Sequence, residues 1–337
     1  MTTFVPERSI SILPHLSWRH LRGPADYRVL ANIGQRANLA DHVEDVETIE
    51  SIANEMEHPA NFDPRVDVLI AEIESRPVAW QRTAWRLQDG QYHYKLAGYV
   101  SPGWRRRGIG RALLRRGEHR LRVVAASHPA GFERFLSAYS PAAREGKVAL
   151  FQSEGYRPIR HFYTMLRNRL DDLPLVALPA GFELRPARPE HLRAIWEANE
   201  EAFRDHWGNT PLTEADFEQL LAQTDFNPSL WQVAWHQASG QVAGLSLNVI
   251  PAAANRAHQR LRGVVDKLSV RKPWRQHGLG RALLVAGLHA LRERGQTEAE
   301  LGVDSENLSG ALRLYESVGF RQIDHGMVLT KPLEFER

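Results

Sequence analysis

Apolar and polar positions in the second half of the chain change period several times, and each change predicts an element. Residues 181–185 alternate as a short strand. Over 189–203, Leu192, Ile195 and Ala198 recur at helical spacing. Thr213 with Asp216 three residues on predicts a capping box and the start of a second helix. Residues 231–235 and 242–250 read as strands joined at Ser239-Gly240, and 261–270 as a longer strand. Leu279, Leu283, Leu284, Leu288 and Leu291 share one helix face. Residues 298–303 then predict a strand, 308–317 a helix and 320–333 a final strand or hairpin. Strands and helices mix around one sheet, which predicts an α/β fold.

The first half repeats this order. The run from Trp104 through Arg105, Gly108 and Gly110 to Leu114 recurs from Trp274 through Arg275, Gly278 and Gly280 to Leu284, at an offset of 170 residues. Leu150, Phe151, Gly155 and Tyr156 recur as Leu314, Tyr315, Gly319 and Phe320, at an offset of 164. Asn61-Phe62-Asp63-Pro64 recurs as Asp225-Phe226-Asn227-Pro228 at the same offset. Three matches in one order indicate a tandem duplication, with a period too long for a solenoid. The expected domains are 1–167 and 181–337, with a linker at 168–180 where Asp171, Asp172, Pro174 and Pro179 interrupt the periodicity.

Composition narrows the possibilities. A chain of 337 residues suits about two domains, and 43% apolar with 25% charged residues describes a folded protein. No apolar run approaches the ~20 residues that span a bilayer, and residues 1–10 lack a signal pattern, so the expectation is a cytoplasmic protein without a membrane partner. There is no cysteine, which excludes disulfides, thiolate metal sites and a Cys acyl-enzyme. His206 has no partner at ligand spacing, and no metal is expected. The net charge is only +3, yet residues 105–122 hold eight arginines and one acid, Glu118. Such a stripe suits nucleic acid, a phosphorylated cofactor or a solvated helix face. The glycines inside it favour phosphate.

A strand, a short turn and Arg275-x-x-Gly278-x-Gly280 opening a helix make a physical design for an anion. The first amides of a helix lack internal acceptors, the helix dipole adds attraction, and glycine lets the backbone approach closely. Flanking arginines add charge-assisted hydrogen bonds. Alone, Gly-x-Gly is more often a plain helix start. Here it occurs twice, each time after a strand ending in valine (Val100, Val270) and before an amphipathic helix. No Gly-Lys-Ser/Thr follows and the third glycine of the dinucleotide fingerprint is missing, so it is neither of those loops.

On these residues the chain resembles the GNAT acyltransferase superfamily, whose signature is Gln/Arg-x-x-Gly-x-Gly/Ala at the start of the central helix. The series Val303, Asn307, Ala311, Leu314, Tyr315, Gly319 and Phe320 resembles the ending of that superfamily. The phrase from Phe203 through Asp205, His206 and Trp207 to Gly208 is similar to a wider group of its tandem members. The resemblance implies two tandem GNAT-like domains, each a mixed, mostly antiparallel twisted sheet flanked by helices, with acetyl-CoA as cofactor. It implies that Arg275, Gln276, His277, Gly278, Leu279 and Gly280, with Arg281 beside them and Asn307 nearby, form the cofactor site. Backbone groups of Leu268, Ser269 and Val270 would pair with pantetheine and polarise the thioester carbonyl. Their side chains read as plain core.

Tyr315 matches the general acid of the family, since a phenol can protonate the departing thiolate. The alternative is a packed Tyr with a satisfied hydroxyl. Asp266 is the first candidate for the base, by strand parity with Leu268. It also reads as an exposed or paired carboxylate, because related tandem enzymes place a Glu where Val264 stands. Asp205, His206 and Trp207 fall where the family builds its acceptor wall, or form a loop anchored by a buried Trp.

Arg105, Arg106, Arg107, Gly108, Ile109, Gly110 and Arg111 complete the loop in the first copy, but Phe151 replaces Tyr315 and Ala143 replaces Asn307. That copy is expected to be non-catalytic, half of an internal pseudo-dimer with residual CoA binding. The implied function is acetyl-CoA-dependent N-acetyl transfer to a primary amine of a small molecule, by direct attack in a ternary complex and without a nucleic-acid partner. Two alternatives stay open: a CoA-sensing or nucleic-acid-binding module, and an acetyltransferase for a protein amine or an aminoglycoside. The oligomeric state is also open.

Overall fold

The structure of the protein is a computed structural model that describes residues 15–306 and 310–335. Contacts divide the chain into two compact units, Met1–Pro158 with Val328–Arg337, and Ile159–Met327.

In chain order the first unit contains β1 (Leu16–His20), α1 (Tyr27–Ala40), α2 (Ile49–Glu57), the single turn α3 (Pro64–Asp67), β2 (Val68–Ile73), β3 (Arg76–Gln88), β4 (Gln91–Val100), α4 (Ile109–Ala126), β5 (Arg134–Pro141) and α5 (Glu145–Ser153). Then follow β6 (Arg157–Arg167), β7 (Phe182–Arg185), α6 (Leu192–Phe203), α7 (Glu214–Leu221), β8 (Gln232–His236), β9 (Gln241–Val249), α8 (Ala252–His258), β10 (Arg262–Val270), α9 (Leu279–Glu293), β11 (Glu298–Asp304), α10 (Ala311–Ser317) and β12 (Arg321–Pro332). Thr213 caps α7 as expected, its side chain accepting from the Asp216 amide. The helix α8 was not foreseen in the sequence.

In the first unit the strands lie in the order β1-β2-β3-β4-β5, antiparallel except for β4 with β5. In the second the order is β6-β11-β10-β9-β8-β7, and only β10 with β11 is parallel. Each sheet is therefore mixed and mostly antiparallel, flanked by helices, as the resemblance implied.

The parallel pair of each unit separates partway. β10 pairs with β11 only from Arg262 to Val265, and β4 pairs with β5 only from Tyr92 to Lys95. Beyond those points each strand keeps one neighbour, so alternate backbone N–H and C=O groups face an open fork. The antiparallel side differs between the copies. β9 with β10 shifts register between Val265 and Lys267, whereas β3 with β4 runs unbroken from Ala79↔Val100 to Gln88↔Gln91.

The central helix of the second unit, α9, buries Leu283, Leu284, Leu288 and Leu291 completely. Each such burial stabilises by about 1.5–3 kcal/mol relative to exposure. Gly287 lets this helix lie close to β9, since a Cβ there would come within 2.7 Å of Ser246 Oγ. Gly117 does the same on α4, where a Cβ would meet Leu96 at 2.5 Å. These glycines are again 170 residues apart, so the duplication extends to how the helix seats on its sheet.

The domain limits expected from sequence differ from the compact units. Residues 159–167 of β6 belong to the second unit, and the chain end from Val328 belongs to the first. The expected linker at 168–180 is packed chain rather than a free tether. Leu170 is fully buried in the core with Met165, Leu288 and Phe320, Leu173 and Val176 pack on it, and the Pro174 carbonyl bonds the His289 ring at 3.1 Å. Proline and aspartate broke the local periodicity without unseating the segment.

Candidate functional site

The loop after β10 is built by a short chain of causes. Lys272–Trp274 forms one 3-10 turn, closed by the Arg275 amide donating to the Lys272 carbonyl. Gln276 and Gly278 then take positive φ, 66° and 80°, and α9 begins at Leu279. The first unit repeats this step by step: a turn over Pro102–Trp104, φ of 62° at Arg106 and 84° at Gly108, and α4 from Ile109. Residues 276–278 and 106–108 are exposed in both.

Among the described residues, no protein group accepts from the amides of residues 276–281 or 106–111. Each loop therefore offers a run of unsatisfied donors at a helix N-terminus, the arrangement that receives a diphosphate. Gly280 adds a second observation. A Cβ there would meet only Val270 at 3.7 Å and Leu314 at 3.9 Å, so protein packing does not require glycine. A turn without a Cβ beside bare amides lets an anion approach the backbone closely.

The signature arginines act differently from the sequence expectation. Arg275 donates to the Val270 carbonyl at 3.0 Å and the Ala202 carbonyl at 2.8 Å, and lies 3.5 Å from Asp205. Arg105 donates to the Val100 carbonyl at 3.2 Å and is held by Asp41 at 2.5 and 3.0 Å. Both guanidinium groups tie the loop to the end of its strand and to the C-terminal end of a helix, α1 for Arg105 and α6 for Arg275, so they position the amides and are committed to protein acceptors. Arg281 reaches Ser317 on α10 at 2.6 Å, and Arg111 ion-pairs with Glu154 at 2.7 Å.

Five of the eight arginines of residues 105–122 pair with carboxylates within the first unit, Arg105 with Asp41 and Arg111 with Glu154 among them. Arg115 pairs with Glu154, Arg120 with Asp67 and Arg122 with Glu118, while Arg116 covers the Trp18 ring and Arg107 the Trp104 ring.

Tyr315, on α10, is buried edge-to-face against Phe320 with ring centroids 6.1 Å apart. Its hydroxyl has no hydrogen-bond partner among the described residues. Burial pushes its pKa up to about 12, so the phenol stays protonated at physiological pH. Asn307 lies outside the described residues.

Leu268 and Val270 pack into the core, and Ser269 donates from Oγ to Asn199 on α6 at 3.1 Å. Beyond Val265 the backbone of these three residues pairs with β9 and no longer with β11. Asp266 is the extra residue of the bulge. It is exposed, 3.4 Å from Lys267, and the alternation that grouped it with Leu268 does not hold, because a bulge opposes two residues to one.

Residues 205–207 are held by local contacts. The amide of His206 donates to the Phe203 carbonyl at 2.9 Å and its ring lies 4.6 Å from the Phe203 ring. Burial, then the charge of Arg275, holds His206 below its ordinary pKa. Trp207 is half-buried, 6.0 Å from Phe162, with the Arg160 guanidinium 5.3 Å over its ring. Arg160 in turn grips Asp304 at 2.8–3.0 Å. Sequence reading missed Arg160, Phe162 and Asp304, since two of the three lie on β6, before the expected boundary, and nothing local marks them.

A cavity of about 540 Å³ lies in the first unit, between the 106–111 loop, Gly98–Val100 of the splayed strand, and α5 with Lys147 and Phe151. In this cavity the phenyl ring of Phe151 stands where the second copy has the phenol of Tyr315.

Two copies of a splayed sheet with a bare-amide loop define an acyl-CoA-binding fold in tandem. The sequence profile of the Acetyltransferase (GNAT) family matches residues 36–151 and 192–320, and the chain belongs to that family. It is a tandem acetyltransferase of the GNAT fold. A mycothiol acetyltransferase of Thermomonospora curvata is 35% identical over 227 residues, 66% of this chain and 68% of the relative. A GCN5-related N-acetyltransferase from Sphaerobacter thermophilus superposes with a TM-score of 0.72 at 26% identity, over 97% of this chain and 98% of that one. A tandem GNAT protein from the clavulanic acid biosynthesis pathway shares the fold, with a TM-score of 0.67 at 19% identity, covering 96% and 100% of the two chains. Among the described residues, no helix is long and apolar enough to cross a membrane and no group of three or more His, Asp or Glu is placed to hold a metal.

Proposed function

We propose that the second unit transfers an acetyl group from acetyl-CoA to the primary amine of a small molecule, by direct attack in a ternary complex. The observation that carries this reading is the unpartnered, protonated hydroxyl of Tyr315, on the helix whose Leu314 borders the Gly280 end of the loop. Acetyl-CoA supplies an activated thioester carbonyl. The 276–281 amides hold its diphosphate, and the backbone of 266–270 along the fork aligns the pantetheine arm. Tyr315 gives its proton to the departing sulfur. Asp266, at the root of the fork, is the carboxylate to which the attacking amine can pass its proton. Trp207, with Arg160 behind it, forms one side of the acceptor wall, with Asp205 and His206 adjoining. Relatives named mycothiol acetyltransferase favour a small-molecule acceptor over a protein amine.

Tyr315→Phe tests the reading. Turnover, followed as CoA release across an amine panel, is expected to fall about 10²-fold or more, as for loss of a general acid. Acetyl-CoA affinity should stay near wild type. Unchanged turnover removes Tyr315 from the mechanism.

A further inference from the structure

The cavity of the first unit contains a side chain that phosphate binding does not use. Lys147 lies on α5 four residues before Phe151, so both fall on one helix face, and both line the cavity with Gly98, Val100, Gly108 and Gly110. Its ammonium has no hydrogen-bond or ion-pair partner among the described residues. Of the other cations lining the cavity, Arg105 is partnered by Asp41, Arg111 by Glu154 and Arg144 by Asn38, while Arg106 lies exposed on the loop itself.

The residue type carries meaning in this chain. Lys95, Lys147, Lys267, Lys272 and Lys331 are the only lysines among 43 basic residues. Arginine does not release its proton in a protein, whereas lysine does when desolvated. Lys147 keeps some exposed surface, yet its surroundings, and then the Arg144 charge, push its pKa down to about 7 against the pull of Asp41 and Glu47. Near neutral pH much of it is a free amine, which is a nucleophile. At the 164-residue offset its counterpart is Ala311, so the second copy has a methyl group where the first presents an amine.

We propose that Lys147 is an internal acyl acceptor: an acyl-CoA thioester held on the 106–111 amides of the first unit transfers its acyl group to Lys147 Nζ. This rests on the reading that the first loop, like its twin, receives the CoA diphosphate. The nitrogen lone pair forms an amide C–N bond to the carbonyl carbon and the C–S bond breaks. The proton shed by nitrogen ends on the departing sulfur, so amine and thioester become amide and thiol. Phe151 offers no proton where the second copy has Tyr315, so the step is slow. The amide product stays on the chain, so the step occurs once. Acylation removes a charge from the cavity and fills it beside the loop.

The experiment incubates the full chain with acetyl-CoA at mildly alkaline pH and maps acetylation by peptide mass spectrometry, while calorimetry counts CoA sites. Acetylation is expected at Lys147 ahead of the exposed Lys272, and excess CoA should suppress it at Lys147 alone. Lys147→Arg should abolish that modification while both CoA sites remain. Equal labelling of Lys147 and Lys272, or labelling indifferent to CoA, overturns the proposal. Two CoA sites without acetyl-Lys147 overturn it while leaving the loop reading intact. A single site, abolished by substitution at Gly280, removes both.

Discussion

Arg275 donates from Nε to the carbonyl oxygen of Val270 at 3.0 Å, tying the first residue of the loop to the last residue of its strand. Its Nη2 reaches the Ala202 carbonyl at the end of α6. A planar fork can hold both oxygens, and a lysine ammonium on a flexible stem cannot hold them in the same geometry. Arg275→Lys is therefore expected to weaken acetyl-CoA binding about tenfold, or about 1.4 kcal/mol. Titration calorimetry measures it. Affinity equal to wild type would show that the loop holds its shape without the latch.

The two glycines of the second loop should separate fold from ligand. Gly278 has φ of 80°, where an L-residue is strained by about 1 kcal/mol or more. Gly280 lies inside α9 with room for a methyl group, and alanine is favoured there by up to about 1 kcal/mol. Gly278→Ala should lower both the melting temperature and CoA affinity. Gly280→Ala should hold or raise the melting temperature and still lose CoA affinity. Tight binding by Gly280→Ala would take the diphosphate away from this helix end.

Burial raises the Tyr315 pKa from about 10 to about 12. The folded state therefore keeps a proton that the unfolded chain loses between these values. Its stabilising effect is complete below pH 10 and is lost as pH rises through 12. As a proton donor it should leave turnover without an alkaline decline of its own until well above pH 10. A pH–rate profile for kcat that fell with a pKa near 9 and lost that limb in Tyr315→Phe would contradict the environment described here.

Lys147 shifts in the opposite direction, from 10.5 to about 7. Between these values the unfolded chain binds the proton that the folded chain gives up, so stability rises with pH across that window. The burden is complete below pH 7 and gone above 10.5. Lys147→Met should raise the melting temperature near neutral pH, and the gain should shrink towards pH 10.5. A gain independent of pH would mean that the ammonium is solvated.

Much of this was legible in the residues. Leu279, Leu283, Leu284, Leu288 and Leu291 gave α9 by their spacing, and Gly278 and Gly280 marked the bare-amide turn. Tyr315 stood out by its place in the family-like ending, and the repeat showed Phe151 at the same position in the first copy. The departures have one source, the use of local pattern for a non-local property. Asp266 was grouped with Leu268 by alternation, and that grouping fails at a bulge set by pairing with β9, while Asp266 itself stays the proposed base. Arg105 was read as a phosphate ligand because its partner Asp41, 64 residues away, cannot be seen from the loop.

The sequence by itself determined the duplication, the turn chemistry of both loops and the copy that carries a phenol, because helix periodicity, glycine φ and side-chain chemistry are properties of short stretches. Tertiary structure alone decided where the compact units divide, that β6 brings Arg160 and Phe162 against Trp207, and that Lys147 lines a cavity with no ion-pair partner among the described residues. Those outcomes depend on which distant segments meet. Desolvation and charge pairing are set by such neighbours, and linear order does not encode them locally.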